Sequence, residues 1–275
     1  MNAAERWAAA LGSWAIPEEI LVAAPESPFG FPSELFRRRG EEAATGAPTP
    51  TTRRALEALP EGGTVLDVGA GGGATSLPLA ERASEIVGVD GQEDMLGIFV
   101  QTAVSADVKA RGVLGGWPDV EGETPTADVV VCGHVAYNVA DLPPFVRALD
   151  DHARHRVVLE LTERHPLVWM NDLWLSFHGV QRPEGPSADD AVRLLVEMGI
   201  TPEREELRSN EDVAGNGFAS REDAIALVRR RLCLATERDG DLAVALGDRL
   251  RERDGLWSAG PSHRSVVTLW WDTEG

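Results

Sequence analysis

Thr64-Val-Leu-Asp67-Val-Gly69-Ala-Gly71-Gly-Gly73 is the stretch on which the fold turns. Apart from Asp67 its first half is apolar and β-prone, which predicts a buried strand. The glycines stand where that strand must turn sharply and where backbone must approach a ligand with no Cβ in the way. Outward from this stretch, Pro60-Glu-Gly-Gly63 stops a short helical pattern over Thr51 to Leu59. On the other side, Ala74 to Ala83 is expected as a helix, Glu85 to Asp90 as a second strand, and Glu93 to Ala103 as a helix interrupted only by Gly97. Strand, glycine loop, helix and strand make a βαβ unit.

The alternation continues. Asp107 to Leu114 reads as a third strand, Ala127 to Cys132 as a fourth, Leu142 to Ala153 as a helix and Arg156 to Leu161 as a fifth strand. Ser187 to Met198 is a helix stopped by Gly199, Ile200 to Leu207 a sixth strand, and Ser265 to Trp271 the last. Strands alternating with helices predict an α/β fold, a doubly wound, mostly parallel seven-stranded sheet with helices on both faces. Residues 1–50, with apolar anchors at Trp7, Trp14, Phe29, Phe31 and Phe36 among turn signals, are expected as an N-terminal cap on a domain of residues 51–275. That domain carries a helical insertion over about 215–260, with helical patterns from Ser220 to Thr236 and from Asp241 to Arg253.

Taken alone the glycine loop is ambiguous. Gly69-Ala-Gly71-Gly-Gly-Ala74 fits the dinucleotide fingerprint with alanine last, and Asp90 follows about twenty residues on. Asp67 decides between readings. A carboxylate inside the first strand would be buried and needs partners, which a ligand ammonium and loop amides supply and a pyrophosphate would not. At this point Asp67-x-Gly69-x-Gly71-x-Gly73 resembles the first motif of class I, Rossmann-like S-adenosylmethionine-dependent methyltransferases at every fixed position, and the resemblance runs from about Leu56 to Ile200 and takes in the last strand.

The resemblance implies S-adenosyl-L-methionine as cofactor, held by Asp67, Gly69, Ala70, Gly71 and Gly73. Asp90, followed by Gly91, is implied to accept hydrogen bonds from the ribose hydroxyls. Met95 takes either the place against adenine or a core position. Where the family often has Gly-Asp after the third strand, this chain has Gly116-Trp117-Pro118-Asp119; the Trp117 indole can lie on the purine face or pack in the core.

In such a sheet the ligand lies across the carboxyl ends of the strands, so Cys132-Gly-His134-Val-Ala-Tyr137-Asn138 should line the reactive end. His134 is the candidate base and Tyr137 a residue that orients the acceptor or contacts the cofactor. Glu163 and His165 are second-rank candidates, and the run Trp169 to Pro186, with Trp174, Phe177, His178 and Arg182, is either a pocket wall or structural cover. The expected function is methyl transfer to an oxygen or nitrogen of a small or medium-sized acceptor. A non-catalytic S-adenosylmethionine-binding sensor or scaffold is the alternative, and a nicotinamide-dependent oxidoreductase fits only the glycines.

Composition narrows the partners. With 26 basic and 45 acidic residues the formal charge is −19, which repels nucleic acid, and the Asn/Asp-Pro-Pro-aromatic motif of base methylation is absent after the fourth strand. Arg37-Arg38-Arg39 and Arg229-Arg230-Arg231 read as solvated helix faces. No apolar run approaches the ~20 residues of a membrane span, and Met1 to Leu11 lacks a signal peptide's apolar centre, so a cytoplasmic location without membrane partners is expected. Cys132 and Cys233 fit buried reduced thiols, His152 and His155 helix C-terminal charges rather than metal ligands, and no metal is expected. A homodimer is compatible with this reading.

Overall fold

A computed structural model describes residues 1–30, 33–209, 217–261 and 263–274. Phe31, one of the expected anchors, and residues 215 and 216 of the expected insertion lie outside the described residues. Four helices come first: α1 (Ala3–Gly12), α2 (Glu18–Ala23), α3 (Ser33–Thr45) and α4 (Pro50–Ala58). Then follow β1 (Gly63–Val68), β2 (Ala83–Asp90), α5 (Glu93–Ser105), β3 (Ala110–Leu114), β4 (Ala127–Gly133), α6 (Leu142–His152) and β5 (Ala153–Thr162). The rest comprises α7 (Asn171–His178), α8 (Ala188–Glu197), β6 (Glu203–Ser209), α9 (Arg221–Arg231), α10 (Asp239–Leu246), β7 (Leu250–Arg253), β8 (Leu256–Ala259) and β9 (Arg264–Asp272).

The seven-stranded sheet runs β3-β2-β1-β4-β5-β9-β6, with β1 to β5 parallel and β9 antiparallel to both neighbours. Alternation along the strands fills two layers. Leu66, Val68, Val130, Leu159 and Leu269 meet Phe145 and Leu149 of α6 and Leu194 and Leu195 of α8 on one face; Val65, Ile86, Val129 and Val158 meet Leu59, Leu77 and Phe99 on the other. The order reverses direction between β1 and β4, which puts a crevice at the carboxyl ends of those strands.

The N-terminal segment is helical and built in. Asn2 and Glu5 form a capping box that starts α1, and the Trp7 side chain is buried against the first layer with its indole N–H donating to the Val139 carbonyl at 2.8 Å. α3 lies on the glycine loop itself: a Cβ on Gly40 would stand 2.1 Å from the Gly72 carbonyl oxygen, and one on Gly72 would stand 2.2 Å from that of Phe36. This contact corrects the expectation of a helix over Ala74 to Ala83. That stretch is turns and a single 3-10 turn at Leu77–Leu79. Pro78 lacks an amide hydrogen, Ser76 is drawn to Asp67, and the space beside the loop is taken by α3.

The insertion differs from expectation too. The helix expected to reach Arg253 ends at Leu246, and β7 and β8 form a hairpin around Asp254-Gly255, both at positive φ (52° and 79°), the geometry of a type I′ turn. Ile225, Val228, Leu232, Leu242 and Leu246 join Met170, Leu173 and Trp174 in a third apolar cluster, against which Ile16 and Ile20 pack. The second arginine run is not a solvated face: Arg229 pairs with Glu26 and Asp239, and Arg230 and Arg231 both donate to the Gly30 carbonyl. Cys132 and Cys233 are buried free thiols, and His152 binds the Ala148 and Glu121 carbonyls at the end of α6. Among the described residues no helix is long and apolar enough to cross a membrane, and no three His, Cys, Asp or Glu side chains are placed to hold a metal.

Candidate cofactor and acceptor site

The glycine loop is welded to the end of β2. The Gly69 and Ala70 amides both donate to the Val89 carbonyl, at 2.8 and 3.0 Å, and the Gly73 amide donates to Ala70 at 2.7 Å. Gly71 has φ +51° and a Cβ there would lie 3.1 Å from the Phe36 ring, so a side chain would meet both a disfavoured conformation and a ring that must give way. Its N–H donates to Asp90 Oδ2 at 3.0 Å, while Asp90 Oδ1 accepts from the Gln92 amide at 3.0 Å. Each carboxylate oxygen carries two lone pairs, so Asp90 retains capacity for two hydroxyl donors. Gly91 beside it is exposed, with nothing within 4 Å of the position a Cβ would take.

Asp67 is fully buried, and only one of its oxygens is satisfied: Oδ2 accepts from the Ser76 hydroxyl at 2.6 Å, whereas Oδ1 has no partner. Burial raises its pKa to about 7, the Asp90 charge pushes the same way, and the Ser76 hydrogen bond opposes both. An orphaned carboxylate oxygen at the root of a glycine loop suits a cationic ligand group. The ammonium of S-adenosylmethionine fits this requirement, and the ribose hydroxyls fit Asp90. Met95 is buried in the first turn of α5, and Gly116 is exposed after β3. The Trp117 indole donates to the Phe145 carbonyl at 3.2 Å and meets His152 edge-on, so it is anchored on α6, half-buried against the first layer.

At the carboxyl ends of β4 and β5 two side chains meet. His134, at φ +62°, donates its backbone N–H to the Glu160 carbonyl at 2.8 Å, and its Nε2 lies 3.0 Å from Glu160 Oε1. The imidazole is 47% exposed and Glu160 17%. Glu160 also accepts from the Thr51 hydroxyl, which lies 2.8 Å from that of Thr268. Burial works against the Glu160 anion, but the hydrogen bond and charge of His134, the Thr51 hydroxyl and the field of Arg264 outweigh it, and the carboxyl stays below its ordinary range.

Tyr137, the other expected catalytic residue, does not meet this pair. It is 5% exposed, its hydroxyl donates to the Thr162 carbonyl at 2.6 Å, and its ring stacks on Trp7. Burial first, and then neighbouring carboxylates, push its pKa far up. His165 is likewise internal, stacked on Trp14 at 3.8 Å and held to about 4 by burial and the nearby Arg182 charge, which leaves it neutral. Glu163 is exposed. In the Trp169 to Pro186 run, Trp174 is buried, Arg182 donates to the Ala15 and Trp14 carbonyls, and His178 Nε2 meets the Leu232 carbonyl at 2.6 Å; these side chains serve as structural cover.

Sequence reasoning placed Glu160 in a polar cluster at this sheet edge, after the fifth strand, but missed it as His134's partner, although the signal was available. Like Asp67, it is a carboxylate interrupting an otherwise apolar strand, Val157-Val-Leu-Glu-Leu161. Ser76 and Thr51 carried no comparable signal, because their contacts are made across the fold.

Comparisons with known proteins give the family. Residues 37–194 match a family described as a methyltransferase domain. Over 102 residues the chain is 35% identical to a ubiquinone biosynthesis O-methyltransferase of Rhizobium etli, a match spanning 35% of this chain and 38% of that protein. Two solved structures share the fold at low identity: a candidate methyltransferase of Bacillus halodurans (15% identical, 82% of this chain and 99% of that one, TM-score 0.52) and a cyclopropane-fatty-acyl-phospholipid synthase-like protein of Lactobacillus casei (14%, 92% and 98%, TM-score 0.52). The chain belongs to the methyltransferase-domain family, and its cofactor is S-adenosylmethionine.

Proposed function

We propose that this chain methylates an oxygen or nitrogen of a small or medium-sized acceptor bound over the ends of β4 and β5, with His134 as the base. The observation that carries the reading is the 3.0 Å contact between His134 Nε2 and Glu160 at that edge. A carboxylate only accepts, so Nε2 carries the hydrogen and Nδ1 keeps its lone pair for a proton on the acceptor. Bound S-adenosylmethionine would supply a sulfonium methyl group, with the carbon–sulfur electron pair left on sulfur as the acceptor's bond to that carbon formed. Glu160 holds the imidazole in one tautomer and orientation, and Thr51 and Thr268 hold Glu160. Asp67 and Asp90 orient the cofactor from the other side of the crevice.

Methyl transfer to small phenols and amines, followed by mass spectrometry, tests the reading. With any acceptor found, His134→Ala should lower kcat by about 100-fold or more, the scale of general-base catalysis, and leave cofactor affinity in place. Glu160→Gln should lower kcat less, because the imidazole keeps a hydrogen-bonding neighbour but loses the carboxylate that fixes its tautomer. Wild-type turnover by His134→Ala would remove the base from the mechanism.

A further inference from the structure

On a chain of net charge −19, Arg39 lies within the electrostatic reach of both Arg38 and Arg264. Phe36 and Arg39 are three residues apart and share one face of α3, and that face is the one seated on Gly71 and Gly72. Arg39 is therefore turned toward the crevice, with its guanidinium 5.6 Å from the Phe36 ring. Arg38 donates to the Gly217 carbonyl. Arg264 opens β9, four residues toward the ligand end from Thr268 and on the same strand face, since side chains alternate. Thr268 is the residue paired in register with Glu160, so Arg264 stands above the His134–Glu160 pair. Only Arg37 of the first arginine run forms the expected solvated face, pairing with Glu34 and Glu41.

We propose that Arg264, supported by Arg39 and Arg38, receives an anionic group of the methyl acceptor, a carboxylate or phosphate, beside the atom that His134 deprotonates. This rests on the methyltransferase reading of that site. Among the described residues Arg264 has no ion pair of its own; the carboxylate whose field reaches it, Glu160, is already engaged by His134 and Thr51. Burial holds the Arg264 pKa down against the field of Glu160, and burial together with the charges of Arg264 and Arg38 brings Arg39 to about 10, a pull that the Glu42 charge only partly offsets. Like charges crowded in a dry place are costly unless an anion joins them, and a planar guanidinium offers carboxylate or phosphate two parallel donors. The cluster would also draw acidic acceptors out of the repulsive field of the acidic surface, because a crevice lined by one sign of charge focuses that field.

Calorimetric titration of the full chain loaded with S-adenosylhomocysteine tests this, with 4-hydroxybenzoate, phenyl phosphate and phenol as probes. The acids should bind about tenfold or more tightly than phenol, the scale of a charge-assisted hydrogen bond. Arg264→Ala should erase that preference, and Arg264→Lys should keep part of it, both with unchanged S-adenosylhomocysteine affinity. Preference for one acid over the other tells a carboxylate site from a phosphate site. Equal binding of acids and phenol, no binding of either acid, or a preference that survives Arg264→Ala would overturn the proposal while leaving the His134 reading intact. A wild-type chain that bound no S-adenosylhomocysteine would count against the cofactor site and this proposal together.

Discussion

The Ser76 hydroxyl sits 2.6 Å from one oxygen of the buried Asp67 carboxylate, and the other oxygen has no partner. A carboxyl at about 7 in the folded chain and near its ordinary 3.8 when unfolded makes folding take up a proton between those values. The stability this group contributes is whole below about 3.8 and is lost as pH rises through about 7. Asp67→Asn, neutral at every pH, should therefore gain in melting temperature relative to the ligand-free wild type between pH 4 and pH 8. Cofactor binding should show the complement: S-adenosylhomocysteine binds the wild type more tightly as pH rises toward 7, and the Asn variant weakly without that slope. Scanning calorimetry and titration at several pH values read both; a melting-temperature difference independent of pH would show that the carboxyl titrates normally.

The contact of the Phe36 ring with Gly71 makes a second prediction. At φ +51°, with the ring 3.1 Å from a Cβ position, Gly71→Val both strains the backbone and pushes α3 away. Cofactor binding should disappear and α3 should loosen, while the sheet persists. Hydrogen exchange would show faster exchange confined to α3 and the loop, with the β4 and β5 amides still protected. Retained S-adenosylhomocysteine binding by this variant would mean that the loop is only a turn.

Why some of this was legible in the sequence follows from which interactions are local. Strand and helix periodicities of β1, β2, α5, β4, α6, β5 and α8 are dictated by burial on one or both faces, so they show in any window of the chain. Asp67 was visible because a carboxylate in an apolar strand contradicts its surroundings. The turn over Ala74 to Ala83 was not, since its helical composition is overridden by α3, more than thirty residues earlier, lying on Gly72. The β7–β8 hairpin carried a local signal, Asp254-Gly255, outweighed by helical spacing in the residues before it. The charge cluster was hidden for the reason α3 was: Arg39 and Arg264, far apart in the sequence, come within each other's electrostatic reach only in the fold.

The last prediction separates structure from chemistry at Tyr137. Its hydroxyl is bonded to the Thr162 carbonyl inside the first layer, and its ring lies between Trp7 and His165. Tyr137→Phe keeps the ring and removes one neutral hydrogen bond, which costs about 1 kcal/mol and lowers the melting temperature by roughly 2 to 4 °C. Trp7→Ala removes a fully buried indole and its bond to Val139, a loss of about 3 to 5 kcal/mol. If the ring stack is structural, both variants should lose stability in that order, and Tyr137→Phe should keep wild-type kcat and its pH profile at temperatures where it is folded. A large fall in kcat for Tyr137→Phe with an unchanged melting temperature would return the phenol to the catalytic pair, through a rearrangement that frees its hydroxyl from Thr162.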